Sequence, residues 1–194
     1  MTPRIPIEEI GWRLNPDTCP PDIHFIDYLK EYPLPSYPVS IFHMGCGFHH
    51  WVGTWAATQK NIFVRSLSIT PVEIDHYIEL ATENPELNFK YQVDFGDIHV
   101  ISSALIPRFD FITLFHLGEI SEQIKDPEYP GRSIPSVIRM FAERLQPGGE
   151  MLFFSGSSAW FKVFDIVKLI LGVENNWHET TYKSLVIYRK QEDM

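Results

Sequence analysis

Cysteine and positive charge are both scarce in this sequence. Its 194 residues include only two cysteines, Cys19 and Cys46. Two are too few for a disulfide framework, so we expect a protein of the reducing cytoplasm. Sixteen Lys and Arg stand against 25 Asp and Glu, giving a net charge of −9, and the charges are scattered. Because a phosphate backbone is bound through a basic face, nucleic acid is not the expected partner.

Long apolar runs are also missing. No uninterrupted run approaches the roughly 20 residues needed to cross a bilayer, and the N-terminal stretch MTPRIPIEEIGWRLN lacks an apolar core of signal-peptide length. The longest candidate, WFKVFDIVKLILGV, contains Lys162, Asp165 and Lys168. Those charges predict an amphipathic helix rather than a membrane span. We therefore expect no membrane association.

With 44% hydrophobic and 14% aromatic residues, the chain contains enough apolar side chains to form one hydrophobic core. Residues 1–38 are rich in proline and aromatic side chains and are predicted to form a cap segment, with a helix over residues 22–32 that Pro33 ends. Residues 39–194 are predicted to form one domain. The sequence contains no pattern that specifies an oligomeric state.

Strand and helix signals alternate through that domain. Strand-like segments span residues 39–45, 61–69, 88–97, 109–119 and 145–158, with a strand pair in residues 177–190. Helical periodicity falls in residues 47–59, 71–84, 133–145 and 159–172. This alternation is typical of a mostly parallel sheet with helices on both faces. Ligands of such sheets bind beyond the carboxyl ends of the strands.

Four landmarks follow the alternation, in this order: Gly45-Cys46-Gly47, SLSITP at residues 66–71, Phe95-Gly96-Asp97, and LQPGGEMLFF at residues 145–154. Together they resemble the GxG loop, second-strand end, aspartate turn and L-x-P-G-G turn of class I S-adenosylmethionine-dependent methyltransferases. The resemblance runs from about Val39 to the end of the chain. It implies an α/β Rossmann-like sandwich, with a mostly parallel seven-stranded sheet and a C-terminal antiparallel strand pair.

The resemblance also implies a cofactor and the residues that would hold it. Gly45, Cys46 and Gly47 would let backbone approach S-adenosylmethionine without interference from Cβ atoms. Asp97 would accept a hydrogen bond from the adenine amino group, and Ile98 would cover a face of the ring. Leu114 begins a stretch, residues 114–119, that would line the floor near the reactive methyl group.

Three positions depart from the family pattern. His43 stands where the first strand usually carries an acid, and His49 stands where the loop usually has its third glycine. Ser68 replaces the acid that ends the second strand, and a hydroxyl lacks the charged bidentate geometry of a carboxylate. Glu73 and Asp75 follow it, but on a helix where we expect them to face solvent. Altered or lost cofactor binding is therefore one hypothesis.

Histidines gather at the predicted ligand-binding edge. The residues His43, His49, His50 and His116 are all expected near the carboxyl ends of the first and fourth strands, with Cys46 and Glu119 nearby. Those two strands are neighbours in a sheet of this kind, so the four rings could converge. Such a group suits a divalent metal, but no C-x-x-C or H-x-x-x-H spacing supports a site, so no metal is predicted. His116, or His49, is instead a candidate base for removing a proton from a methyl acceptor.

Three functions therefore stand as hypotheses. The first is a methyltransferase that acts on a small molecule, with the N-terminal cap as a lid over the acceptor and with His43 and Ser68 beside the cofactor. The second is a catalytically silent methyltransferase-like protein that binds a ligand or a partner. The third is a metal-dependent enzyme that uses the histidine cluster.

Overall fold

The fold rests on one continuous sheet that the chain crosses seven times. In a computed structural model, the structure describes residues 19–119, 130–172 and 177–191. The strands are β1 (Val39–Met44), β2 (Ile62–Ser68), β3 (Tyr91–Phe95), β4 (Phe109–Thr113), β5 (Leu145–Phe154), β6 (Trp177–Tyr182) and β7 (Leu185–Lys190). Their order in the sheet is β3-β2-β1-β4-β5-β7-β6.

The strand directions confirm the predicted mixed sheet. Strands β1 to β5 pair with one another in parallel, with Val39 opposite Ile62 on one side of β1 and Ile41 opposite Phe111 on the other. Strand β7 is antiparallel to both β5 and β6. The tight turn of this pair contains Lys183, at a φ of 52°. The predicted strand pair around Lys183 is therefore present.

Helices cover both faces of the sheet. They are α1 (Pro20–Glu31), α2 (Trp51–Thr58), α3 (Pro71–Glu83), α4 (Ile134–Glu143) and α5 (Trp160–Val167), and a π-helical segment, Lys168–Gly172, continues α5. Short 3-10 helices, Pro85–Phe89 and Ser103–Leu105, flank β3. Proline opens α1, α3 and α4, where its missing N–H has no helical partner to lose.

Strand β4 shows how the core divides into two layers. Phe111 belongs to an apolar cluster that includes Phe25 of α1 and Val52 of α2, whereas its neighbour Ile112 belongs to a cluster with Val137 of α4. Successive side chains of a strand point to opposite faces, so a strand covered on both sides is apolar at nearly every position. The two-sided apolar pattern predicted for this strand is confirmed.

The N-terminal cap is partly within the described region. Helix α1 begins two residues before the predicted start, and its side chains Phe25 and Leu29 are buried against the α2 face of the sheet. Residues 1–18, also assigned to the cap, lie outside the described residues. None of the described helices combines the length and the apolar character needed to cross a bilayer.

Candidate functional site

A pocket lies beyond the carboxyl ends of β1, β2, β3 and β4. Its wall includes the loop after β1, the ends of β2 and β3, the start of α3 and the first turn of α1. The predicted edge of the sheet therefore does carry a cavity, and the N-terminal cap contributes to it.

The loop after β1 has the backbone that the glycines were predicted to allow. Gly45 has a φ of 75° and Gly47 a φ of 55°. Residues other than glycine rarely adopt these positive φ angles. The N–H of Gly45 donates to the carbonyl of Leu67 at 2.9 Å, which ties the loop to β2. Gly45, Cys46 and Gly47 all line the pocket.

Glu73 supplies an acid at the position where β2 lacks one. Its Oε2 accepts a 2.7 Å hydrogen bond from the Ser68 hydroxyl and lies 3.6 Å from the Cys46 thiol sulfur, which donates to it. Glu73 is only 1% exposed, and its Oε1 makes no hydrogen bond with the described residues. Burial raises the pKa of this carboxyl, while the bonds from Ser68 and Cys46 act in the opposite direction.

The expectation that Glu73 faces solvent is wrong. The sequence pattern of α3 suggested an apolar stripe through Val72, Ile74, Tyr77, Ile78 and Ala81, but Val72 and Ile78 are more than half exposed. The inner face of the helix carries Tyr77 and Ala81 of that stripe together with Glu73, at a spacing of four residues. Glu73 is therefore directed at the end of β2, whereas Asp75 is exposed as expected.

Asp97 and Ile98 line the pocket at the end of β3, as predicted. The Asp97 carboxylate accepts a 2.8 Å hydrogen bond from the N–H of His99, so it also fixes the turn in which it lies. Leu114 is 1% exposed in the core and does not line the pocket. Phe115, the residue that follows Leu114, lines the pocket in its place.

At the end of β1, two histidines contact an acid from α1. His43 Nε2 lies 3.6 Å from Asp22 Oδ1, and His49 Nδ1 lies 3.5 Å from Asp22 Oδ2. The side chains of all three are nearly inaccessible to solvent. The ring of His49 lies over Gly47, so close that a Cβ there would be 2.9 Å from Nε2. His49 therefore points into the pocket wall rather than out to solvent.

Burial favours the uncharged forms of these groups. It raises the pKa of Asp22 to about 8, lowers that of His43 to about 3 and lowers that of His49 to about 4. It also raises the pKa of the neighbouring Cys19 thiol to about 12.

The four histidines named from sequence do not form a single cluster. His43 and His49 face Asp22, but the His50 Nδ1 lies 2.8 Å from the Tyr91 hydroxyl, on the side away from the pocket. His50 is buried there, and burial lowers its pKa to about 4. His50 therefore does not join His43 and His49, because neighbouring residues of one turn point in different directions.

His116 is held by a carboxylate. Its Nδ1 lies 3.2 Å from Glu119 Oε1, and the same oxygen accepts hydrogen bonds from the Ser157 hydroxyl and the Ser158 N–H. Burial disfavours the charged carboxylate, but the bonds from His116 and Ser157 outweigh it and lower the pKa of Glu119. An ionised Glu119 favours a proton on Nδ1, which leaves Nε2 as the basic nitrogen. His116 lines the pocket.

Three residues of the site were not named from sequence as site residues: Cys19, Asp22 and Glu73. A signal existed for Asp22, because it shares the buried face of α1 with Phe25 and Leu29. The apolar residues of α3 lie on several faces, so its pattern gave no such signal for Glu73. An acid in an apolar stripe predicts a buried carboxylate that has a partner or a function.

The fold of this chain is similar to that of solved methyltransferases. No protein-family model matches the sequence, and no curated protein matches it either. Among solved structures, the glycopeptide N-methyltransferase MtfA complexed with S-adenosylmethionine aligns with a TM-score of 0.56 and 11% identity, over 89% of this chain and 93% of that one. An rRNA methylase from Streptococcus thermophilus aligns with a TM-score of 0.59 and 10% identity, over 88% and 97%. The chain has the class I methyltransferase fold.

Enzymes with another chemistry share this fold. The [4+2]-cyclase SpnF aligns with a TM-score of 0.60 and 14% identity, over 89% of this chain and 81% of that one. At such identities the likeness establishes the fold, while the reaction has to be argued from the residues of the pocket.

Proposed function

We propose that this class I methyltransferase-fold protein binds S-adenosylmethionine and transfers its methyl group to a small-molecule acceptor. The observation that carries the proposal is the Glu73 carboxylate, which is hydrogen-bonded to Ser68 at the end of β2 and lies on the pocket wall. It brings an acid to the place where the resemblance expects one to hold ribose hydroxyls.

The residues present fit the adenosine part of such a cofactor. A ribose hydroxyl would supply the donor that the buried Glu73 Oε1 lacks among the described residues. Asp97 would accept from the adenine amino group, and Ile98 would lie against the ring. The positive φ angles of Gly45 and Gly47 bring loop backbone to the pocket wall. When bound, S-adenosylmethionine supplies an activated methyl group on a sulfonium sulfur.

His116 is the proposed general base. Glu119 orients its ring and favours the proton on Nδ1, so that Nε2 can take a proton from an acceptor hydroxyl or amine. His49 is the weaker candidate, because its ring is packed between Asp22 and Trp51 and burial lowers its pKa to about 4. A base with so low a pKa accepts a proton poorly at pH 7.

A small-molecule acceptor agrees with the charge and with the cap. The net charge of −9 does not suit a phosphate backbone, and Cys19 and Asp22 of the cap segment line the same pocket as the glycine loop. The cap thus forms part of the wall of the cavity that Asp97 and Ile98 also line. That position fits the lid predicted for residues 1–38.

Calorimetric titration with S-adenosylmethionine and S-adenosylhomocysteine tests the binding step. We expect saturable binding of both and a higher unfolding temperature in their presence. If neither compound gives a heat signal or a thermal shift at millimolar concentration, the proposal fails. With an acceptor in hand, His116→Gln should reduce turnover about 100- to 10,000-fold, whereas His178→Gln, on the exposed strand β6, should not.

One observation favours a second candidate, a ligand-binding protein without methyl transfer. The His49 ring lies over Gly47, in space that the third glycine of the family loop would leave open. SpnF, which has the same fold, is a cyclase. Binding of S-adenosylhomocysteine without turnover of any methyl acceptor would favour this candidate over the first.

A further inference from the structure

Three metal-binding side chains meet on the wall of the pocket. The Cys19 sulfur, an Asp22 carboxylate oxygen and a His49 ring nitrogen all lie within 4.8 Å of one another. Cys19 and Asp22 come from the start of α1, and His49 comes from the loop between β1 and α2. Each is almost inaccessible to solvent, at 3% and 4% exposure for the first two residues and 6% for the His49 side chain.

This donor set matches the ligands of zinc. Thiolate sulfur, imidazole nitrogen and carboxylate oxygen are its usual ligands, at about 2.0–2.3 Å from the ion, which places them roughly 3.5 Å from one another in a tetrahedron. Shifts of about 1 Å in the side chains would bring the three atoms to that spacing. We propose that Cys19, Asp22 and His49 bind one Zn²⁺ ion.

Charge balance favours an ion at this position. Asp22 forms no ion pair with a lysine or arginine in the part of the chain that the structure describes; the titratable groups that face it there are His43, His49 and the Cys19 thiol. A buried carboxylate without a cation is costly. One Zn²⁺ with the Asp22 carboxylate, the Cys19 thiolate and a neutral His49 has no net charge, so the site can be buried without that cost.

A chain of contacts orients the carboxylate. The Thr113 hydroxyl lies 2.8 Å from His43 Nδ1, and His43 Nε2 faces Asp22 Oδ1 at 3.6 Å. The other oxygen, Oδ2, faces His49 at 3.5 Å. His43 therefore lies beside one oxygen of Asp22, while the second oxygen faces the ligand His49. Partners of this kind commonly fix the ligands of a metal site.

The site is open on one side. All three ligands line the pocket, so the fourth coordination position faces the cavity and is available to water or to a polar group of a bound molecule. Zinc sites with three protein ligands and an exchangeable fourth position are typical of catalytic zinc. The site shares only His49 with the candidate bases and does not depend on methyl transfer.

Zinc binding can be measured directly on the untagged, full-length protein. After removal of metal with a chelator, ZnCl₂ is titrated in competition with a chromophoric chelator, and we expect one high-affinity site per chain. Cobalt chloride is used as a spectroscopic probe. We expect the d–d bands of four-coordinate Co²⁺ together with a thiolate-to-cobalt charge-transfer band, which reports the Cys19 ligand without any mutation.

Substitutions locate the site. Cys19→Ser should abolish the charge-transfer band, and His49→Gln should weaken zinc by more than the roughly 10- to 100-fold that changes in the partners of a ligand cost. Thr113→Val, which alters only the orientation of His43, should weaken zinc about 10-fold. Cys46→Ser is the matched control, because Cys46 is the other cysteine and lines the same pocket outside the cluster.

Two results would overturn the proposal. One is a wild-type protein that binds neither zinc nor cobalt at micromolar concentration. The other is unchanged zinc affinity in both Cys19→Ser and His49→Gln. If one of these variants does not fold, the cobalt spectrum of the wild type and the affinity of the other variant still decide the question.

Discussion

The two ends of the pocket differ in where their carboxylates come from. At the Asp97 end, formed by Ser68, Glu73, Asp97 and Ile98, the acid missing from β2 is supplied by the first turn of the next helix. At the Asp22 end, formed by Cys19, Asp22, His43 and His49, the acid missing from β1 comes from a helix that precedes the sheet. The carboxylate of the Asp97 end therefore comes from the helix that follows β2. The carboxylate of the Asp22 end comes from the N-terminal cap.

This difference separates two kinds of chemistry in one cavity. Glu73 has a hydroxyl and a thiol as donors and an oxygen that remains unpaired among the described residues, which suits a ligand with hydroxyl groups. Asp22 instead lies among two imidazoles and a thiol, which suits a metal ion. The Asp97 end therefore keeps the features of a cofactor site, while the Asp22 end has features that the family pattern does not include.

The largest expected effect concerns the stability of the Asp22 end. Zinc that binds only the folded chain, at 100 times its dissociation constant, should add about 2.7 kcal/mol to the free energy of unfolding. For a chain of this size that corresponds to a rise of about 5–10 °C in unfolding temperature. Differential scanning calorimetry with and without ZnCl₂ measures it, and Asp22→Asn should remove the rise.

Glu73→Gln is the control, because it alters the other end of the pocket. Its zinc-dependent rise in unfolding temperature should equal that of the wild type. If Asp22→Asn retains the full rise, or if Glu73→Gln loses it, the two ends do not act as separate sites.

The fold could be predicted from the sequence because its signals are local. Strands β1, β2 and β4 are short, mostly apolar runs between glycine, proline or polar residues, and the order of the strand and helix signals indicated the parallel sheet and its C-terminal pair. The predicted and observed ends of a strand differ where the apolar sequence continues past the last residue that is hydrogen-bonded in the sheet. Strand β4, for example, ends at Thr113, while the apolar pattern extends to Leu117.

The site was predictable only in part, for a physical reason. Gly45, Gly47 and Asp97 have roles that depend on their own backbone or turn, so a pattern can find them. Asp22 and Glu73 act through the direction of a side chain across the space between two elements. The periodicity of α3 favoured Val72 as an inward residue, and packing instead buried Glu73. Local patterns do not specify such choices when apolar residues occur on several faces of a helix.

The next prediction concerns the cost of burying the ionised Glu73 carboxylate, which lowers the stability of the folded chain at high pH. Burial raises its folded pKa above the ordinary glutamate value of 4.5. Its contribution to stability is therefore fully present below pH 4.5 and is lost as the pH rises through the raised pKa. Glu73→Gln should unfold at a higher temperature than the wild type at pH 8, and the difference should shrink as the pH falls toward 4.5.

The same substitution should weaken the ligand. Replacing the charged acceptor should cost about 1.5–3 kcal/mol in binding of S-adenosylhomocysteine, roughly a 10- to 150-fold loss of affinity by calorimetry. Asp75→Asn is the matched control, because Asp75 is exposed on the same helix turn. A Glu73→Gln variant that is less stable at pH 8 and binds the ligand normally would contradict the role proposed for this carboxylate.

The smallest effect concerns Asp97. Asparagine can still accept the hydrogen bond from the His99 N–H through its side-chain oxygen, so Asp97→Asn should preserve the turn and the unfolding temperature. Its affinity for S-adenosylhomocysteine should fall by about 0.5–1.5 kcal/mol, because a neutral amide oxygen accepts more weakly from an adenine amino group. Asp94→Asn, which removes only a half-exposed pair with Arg65, is the control and should leave the affinity unchanged. Zinc affinity should not change in either variant, because neither residue belongs to the group formed by Cys19, Asp22 and His49. Equal ligand affinity in Asp97→Asn and Asp94→Asn would mean that the adenine does not bind against Asp97.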